Sequence, residues 1–136
     1  MIVYVRPSRY MTAAKREEVY KASFVFLNEL LDDEDDDIII DISVRGDGLT
    51  KGVDGYCLCV DEFDNGKPKE ISIEVRGDKG LDHLIKSLAH ETVHAWQMIT
   101  NRMDPSKYKG DYWNAPWEVE ARELEEPLYE LYLENS

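Results

Sequence analysis

The segment LDHLIKSLAHETVHAWQMIT, residues 81–100, decides much of the fold. Its apolar residues recur at three- and four-residue spacings, which predicts one amphipathic helix. An advance of about 100° per residue places six side chains within one stripe: Leu81, Ile85, Leu88, Thr92, Trp96 and Ile99. His90 and His94 fall nearly opposite the centre of that stripe. The two histidines therefore share a polar face, against which another element could close a site.

His90-Glu91-Thr92-Val93-His94 is an H-E-x-x-H pentapeptide on this helix. Residues four apart on a helix have their Cβ atoms about 5–6 Å apart, so two imidazoles can close on a single zinc ion. The intervening Glu91 can then take the proton of a metal-bound water. The motif predicts His90 and His94 as zinc ligands and Glu91 as the general base. The alternative is a helix with two polar histidines and no metal.

A third zinc ligand is expected downstream of the motif. Zinc in hydrolases is usually held by three protein ligands, with the fourth position left for water. No cysteine or histidine follows His94, which leaves the carboxylates. Two lie in a loop and four on a predicted C-terminal helix: Asp104, Asp111, Glu118, Glu120, Glu123 and Glu125. Periodicity alone does not choose between Glu118 and Glu120, which flank the apolar stripe of that helix.

The sequences HETVHAWQ at 90–97 and PWEVEAR at 116–122 resemble the glutamate-type zinc peptidases, the thermolysin-like gluzincins in the broad sense. The family's third ligand lies on a helix after the motif, in a Glu-x-x-x-Asp or Glu-x-x-Ala setting. The stretch 118–121 is similar to the second form, so the resemblance implies Glu118 as the third ligand, with Glu120 as its competitor. The chain departs from the first form at Arg122, where the family often has an acid that orients the first histidine.

The resemblance covers roughly residues 70–122 and implies a minimal, zincin-like peptidase of the kind that occurs in phages and mobile elements. It also implies an edge strand just before the motif helix, here Glu70 to Arg76, to which an extended peptide substrate could add. An oxyanion donor is expected on the loop between the ligand elements: Tyr108, Tyr112 or Asn114. His83, two turns before His90, is read as a surface histidine with a possible role in the cleft.

Outside the motif helix, the hydrophobic pattern predicts two further helices and four strands. The first helix spans 12–31 with Thr12 as its N-cap; the last begins near Pro116 and is kinked or divided at Pro127. The strands are expected at 2–5, 38–44, 53–63 and 69–76, with Asn65-Gly66 as a hairpin turn. The predicted fold class is α+β, with a small, mostly antiparallel sheet and one zincin-like domain over residues 1–136.

Composition narrows the function classes. A formal net charge of −13 over 136 residues argues against nucleic-acid binding, because phosphate contacts need clustered Lys and Arg. The sequence has no run of about 18 apolar residues, and its first residues lack a basic region followed by a long apolar segment, so we expect neither a transmembrane helix nor a signal peptide. Cys57 and Cys59 read as reduced thiols in a strand, so a cytoplasmic location is expected.

Three functions of different classes remain. The leading prediction is a zinc metallopeptidase that acts on a peptide or protein substrate. The second is a non-catalytic zinc-bearing protein of the same fold with a binding or regulatory role. The third, suggested only by the net charge of −13, is an acidic mimic of nucleic acid that needs no metal.

Overall fold

The structure, a computed structural model, describes residues 1–9, 11–31, 37–46, 54–103 and 110–135. In these ranges the chain forms four strands and three helices, which confirms the α+β class. In chain order they are β1 (Ile2–Val5), α1 (Ala13–Leu30), β2 (Ile39–Arg45), β3 (Gly55–Glu62), β4 (Pro68–Arg76), α2 (Leu81–Ile99) and α3 (Pro116–Glu134). None of the helices in these ranges is both long enough and apolar enough to cross a membrane.

The four strands form a mixed sheet in the order β1-β2-β4-β3. The pairs β1–β2 and β2–β4 are parallel, and only β3–β4 is antiparallel. The prediction of a mostly antiparallel sheet was therefore wrong. Helix α1 carries the chain from β1 back to the start of β2, and such a crossover makes neighbouring strands parallel. The Asn65-Gly66 turn reverses the chain once, and Gly66 has the positive φ of 84° that such a turn requires.

The predicted edge strand at Glu70–Arg76 was also wrong, because β4 lies inside the sheet. Ile71 pairs with Ile40 of β2 on one side and with Cys59 of β3 on the other. The backbone hydrogen bonds of β4 are thus engaged on both sides, and no peptide can add to it. Within the described residues, the edges of the sheet are β1 and β3.

One face of the sheet carries the core. Alternate residues of β1, β2 and β4 are buried against the helices: Val3, Val5, Ile40, Ile42, Val44, Ile71, Ile73 and Val75. They pack with the apolar sides of α1 and α2, where Phe26, Ile85 and Leu88 are fully buried. Each such side chain contributes about 1.5–3 kcal/mol when it leaves water. This packing fixes the roll of α2, and with it the direction in which the histidines project.

Helix α3 packs across α2 and α1. The Tyr129 hydroxyl donates to Asp82 of α2 at 2.8 Å, and the Tyr132 hydroxyl donates to Glu18 of α1 at 2.6 Å. The helix continues through Pro127 and is not divided there. Pro127 and Glu123 are both exposed, so water can solvate the Glu123 carbonyl that loses its helical hydrogen bond.

Candidate metal centre

The polar face of α2 meets the first turn of α3, and three side chains converge at that contact. His90 and His94 come from α2, and Glu118 comes from α3. One ligand atom from each lies within 4.8 Å of the others. In the described part of the chain, no other group of three His, Cys, Asp or Glu side chains has this arrangement. The group could hold a metal ion.

Glu118 makes one contact with each histidine, and only the contact with His90 is a hydrogen bond. Glu118 Oε2 lies 3.2 Å from His90 Nε2, and Glu118 Oε1 lies 2.6 Å from His94 Nε2. The second contact lacks hydrogen-bond geometry, so both of its atoms are buried without a hydrogen-bond partner. Buried polar atoms are rarely left in that state. A cation coordinated by both atoms would give each a partner, and two imidazole nitrogens with one carboxylate form a donor set typical of zinc.

The second nitrogen of His94 has its own partner. Its Nδ1 lies 2.7 Å from Oε1 of Gln97, which is fully buried one turn further along α2. The amide nitrogen of Gln97 donates to the Trp117 carbonyl at 2.8 Å and to Oε1 of Glu120 at 3.0 Å. Glu120 also forms an ion pair with Arg102. Glu120, the competing ligand in the sequence, is therefore directed away from the metal group.

The second nitrogen of His90 faces a different partner. Its Nδ1 lies 3.4 Å from Oε2 of Glu125. Glu125 follows Glu118 by seven residues, or two helical turns, so the two carboxylates lie on the same face of α3. The glutamate-type zinc peptidases often have an acid that orients the first histidine at the position of Arg122. Here the Arg122 guanidinium instead lies over the Trp113 ring, 3.8 Å from the ring centre. An acid does contact His90, but it is Glu125 and not the residue at 122.

The electrostatics of this group favour a proton on His90 when no metal is bound. Burial alone would lower the pKa of His90, but hydrogen bonds to Glu118 and Glu125 and the charge of Glu91 raise it to about 10. Burial would raise the pKa of Glu118, but its close contacts with His90, His94 and Tyr112 hold it far below the usual range. At neutral pH the metal-free site thus contains an imidazolium among carboxylates, and a metal must displace that proton.

Glu91 lies beside the ligands, directed towards β3. It is only 7 % exposed, and burial raises its pKa to about 7, against the lowering influence of His94 and His90. The start of β3 approaches it closely. A Cβ atom at Gly55 would lie 3.2 Å from Cγ of Glu91 and 2.8 Å from the Glu74 carbonyl oxygen. Only glycine leaves the space that the Glu91 side chain occupies here.

A cavity of about 770 Å³ opens onto the group. His90, Glu91 and Glu118 line it, whereas His94 lies behind them. Its other walls are the start of β3, the N-terminal half of α2 and the loop before α3, represented by Tyr56, His83, Lys86, Tyr112 and Trp113. The three groups that a reaction would use thus face a space large enough for part of a peptide.

The residues considered as oxyanion donor or for a role in the cleft have different contacts. The Tyr112 hydroxyl hydrogen-bonds to Glu118. Asn114 instead binds Asp111 through its backbone N–H and its side-chain amide, at 2.9 and 3.1 Å. His83 lies in the cavity wall with Nε2 3.3 Å from an oxygen of Asp54.

Two further candidates, Asp104 and Tyr108, lie outside the described residues. Glu123 is exposed and does not belong to the metal group. Cys57 and Cys59 are free, as predicted.

Comparisons with known proteins add no relative: no family model, no curated protein and no solved structure matches the chain. The likeness to the glutamate-type zinc peptidases therefore rests on the motif residues themselves. What the site does is argued from its chemistry.

Proposed function

We propose that this protein is a zinc-dependent metallopeptidase. The observation that carries the proposal is the convergence of His90, His94 and Glu118 beside a buried Glu91, at the base of an open cavity. Two histidines and a glutamate leave a fourth position free on a tetrahedral zinc ion, as hydrolysis requires. A purely structural zinc site is usually closed by four protein ligands, and the described residues offer three.

In this proposal Glu91 carries out the proton transfers of the reaction. When bound, zinc acts as a Lewis acid on the water and on the peptide carbonyl. Glu91 takes one proton from the water as the water oxygen attacks the carbonyl carbon. It returns that proton to the leaving amine as the C–N bond breaks. Burial raises the pKa of Glu91 in the metal-free protein, so the carboxyl lies where little water competes for the proton that it accepts and releases.

Tyr112 is the proposed donor to the developing oxyanion. It lies in the cavity wall, and its hydroxyl already reaches the Glu118 carboxylate. Although Tyr112 is largely exposed, desolvation of its hydroxyl group and the hydrogen bond to Glu118 raise its pKa well above the usual value. The hydroxyl therefore stays protonated and can donate a hydrogen bond.

The proposed substrate is an extended peptide that adds to the free edge of β3. Among the described residues, β3 pairs with β4 alone, and its first residues, Gly55 and Tyr56, line the cavity. A strand placed there would have its backbone hydrogen-bonded to β3 and would pass in front of Glu91. In this role β3 replaces β4, whose edges are both occupied.

The test begins with metal content. Untagged protein should carry about one zinc per chain by elemental mass spectrometry, and His94→Ala should carry none. The zinc-loaded protein should then cleave members of a random peptide library, read out by mass spectrometry. If the wild type has no zinc and no affinity for added zinc, the proposal fails.

A further inference from the structure

Gln97 is a fully buried amide whose orientation is fixed by its surroundings. Its nitrogen lies 2.8 Å from the Trp117 carbonyl oxygen and 3.0 Å from a Glu120 carboxylate oxygen, and neither atom can donate a hydrogen bond. Turning the amide over would place its oxygen against both acceptors. The nitrogen must therefore point to α3, and the oxygen must point to His94.

This orientation decides where the proton of a neutral His94 lies. The amide oxygen can only accept, so at 2.7 Å the Nδ1 of His94 must be the donor. The lone pair of the neutral ring is then on Nε2, the atom that faces Glu118. This tautomer is the one that can bind a metal at Nε2.

We propose that Gln97, held by Glu120 and the Trp117 carbonyl, is a positioning residue that sets the tautomer and ring orientation of His94 for metal binding. The inference rests on the metal site of the proposed function, and it adds residues that neither the motif nor the family resemblance assigns. Metal-ligating histidines generally donate their other N–H to an acceptor. Here that acceptor is a neutral amide on the same helix.

Glu120 is kept in its role by Arg102, which follows α2. The guanidinium forms an ion pair with Glu120 and lies over the Trp96 ring, 4.4 Å from the ring centre. Arg102 thus holds the Glu120 carboxylate at the place where it accepts from the amide nitrogen of Gln97, and a chain of contacts runs from the exposed Arg102 to the buried His94.

The test is zinc affinity measured by chelator competition on the full chain. Gln97→Met keeps the length of the side chain but removes the acceptor, and should weaken zinc binding about 10- to 100-fold. Thr92→Val is the matched control. Thr92 is also buried on α2, but its hydroxyl bonds the Leu88 carbonyl at 2.7 Å, away from the site. That variant should keep the wild-type zinc affinity.

A rescue separates positioning from simple packing. Gln97→Glu alone keeps an acceptor for His94 Nδ1–H but places a carboxylate oxygen about 2.8 Å from the Trp117 carbonyl oxygen and about 3.0 Å from Glu120, so it should also weaken binding. Adding Glu120→Gln turns the second of these contacts into a hydrogen bond and leaves the first unchanged. The double variant should therefore recover part of the lost affinity, a result that a mere loss of packing at position 97 would not produce.

A spectroscopic readout needs no variant. In the zinc-loaded wild type, imidazole ¹⁵N spectra should show His94 bound through Nε2, with a slowly exchanging proton on Nδ1. Ligation through Nδ1, or wild-type affinity in Gln97→Met, would overturn the inference. If Gln97→Met does not fold, the wild-type spectra still test the tautomer of His94. A wild type that binds no zinc removes the proposed function as well, whereas one that binds zinc without cleaving peptides removes only the peptidase.

Discussion

His90 and His94 are one helical turn apart, with ring centres separated by 4.9 Å, yet their second nitrogens meet opposite kinds of partner. His94 is buried and faces the neutral amide of Gln97. His90 lines the cavity, and its Nδ1 faces the carboxylate of Glu125. The inner histidine thus contacts a group that cannot change charge. The outer histidine is held by acids that favour a proton whenever the metal is absent.

The largest expected effect comes from removing either ligand. His94→Ala and His90→Ala should each reduce bound zinc from about one per chain to none, because two remaining ligands do not make a zinc site. His83→Ala is the control, since His83 lies in the same cavity outside the metal group. Elemental mass spectrometry of all three variants measures the outcome. Loss of zinc in His83→Ala as well would place the metal elsewhere.

Glu91→Gln tests catalysis apart from metal binding. Glu91 does not belong to the ligand group, so zinc content should be unchanged. Peptide hydrolysis should fall by about 10²- to 10⁴-fold, the range that general acid–base groups contribute. The measurement is kcat/KM on any peptide the wild type cleaves, with zinc content determined on the same sample. Full activity in this variant would remove the mechanism. Zinc without turnover in the wild type would favour the non-catalytic alternative.

The helices that carry His90, His94 and Glu118 could be predicted from the sequence because their periodicity is local. The apolar stripe on α2 follows from residue spacing alone. Thr12 was predicted as the N-cap of the first helix, and α1 begins at the next residue, Ala13, as expected. The position of β4 in the sheet could not be predicted in this way. Alternation in Ile71, Ile73 and Val75 shows which face is buried but not which strands lie on either side.

The side chains that contact the two histidines could not be predicted from local sequence patterns either. Glu118 and Glu120 both flank the apolar stripe of α3, and only the packing of α3 on α2 directs one to the metal group and the other to Gln97. Glu125 was one of the candidate ligands, and its two-turn spacing puts it on the same face of α3 as Glu118. The structure leaves it outside the metal group and places it against His90 Nδ1, a contact that the sequence alone does not predict.

Proton competition at His90 predicts how zinc affinity depends on pH. Burial lowers the pKa of His90 in the metal-free protein, but hydrogen bonds to Glu118 and Glu125 raise it to about 10. Below that pH zinc must expel a proton, so affinity should rise with pH, by at most about tenfold per unit. Between pH 7 and 9 the gain is at most about 100-fold. Titration calorimetry at pH 8 in two buffers of different ionisation enthalpy should show about one proton released per zinc. Affinity independent of pH would contradict the proton on His90.

The smallest expected effect is that of Glu125→Gln. This substitution makes the surroundings of His90 resemble those of His94. The amide can still accept from Nδ1 but no longer carries a charge, so the metal-bound imidazole becomes a weaker ligand. Near pH 9 zinc affinity should fall about tenfold, at the lower end of what outer partners contribute. Near pH 7 the loss should shrink, because the variant also holds the competing proton less tightly. Affinities measured at both pH values test this, with the exposed Glu123→Gln as control. An equal loss at both would mean that Glu125 acts on the metal-bound state alone.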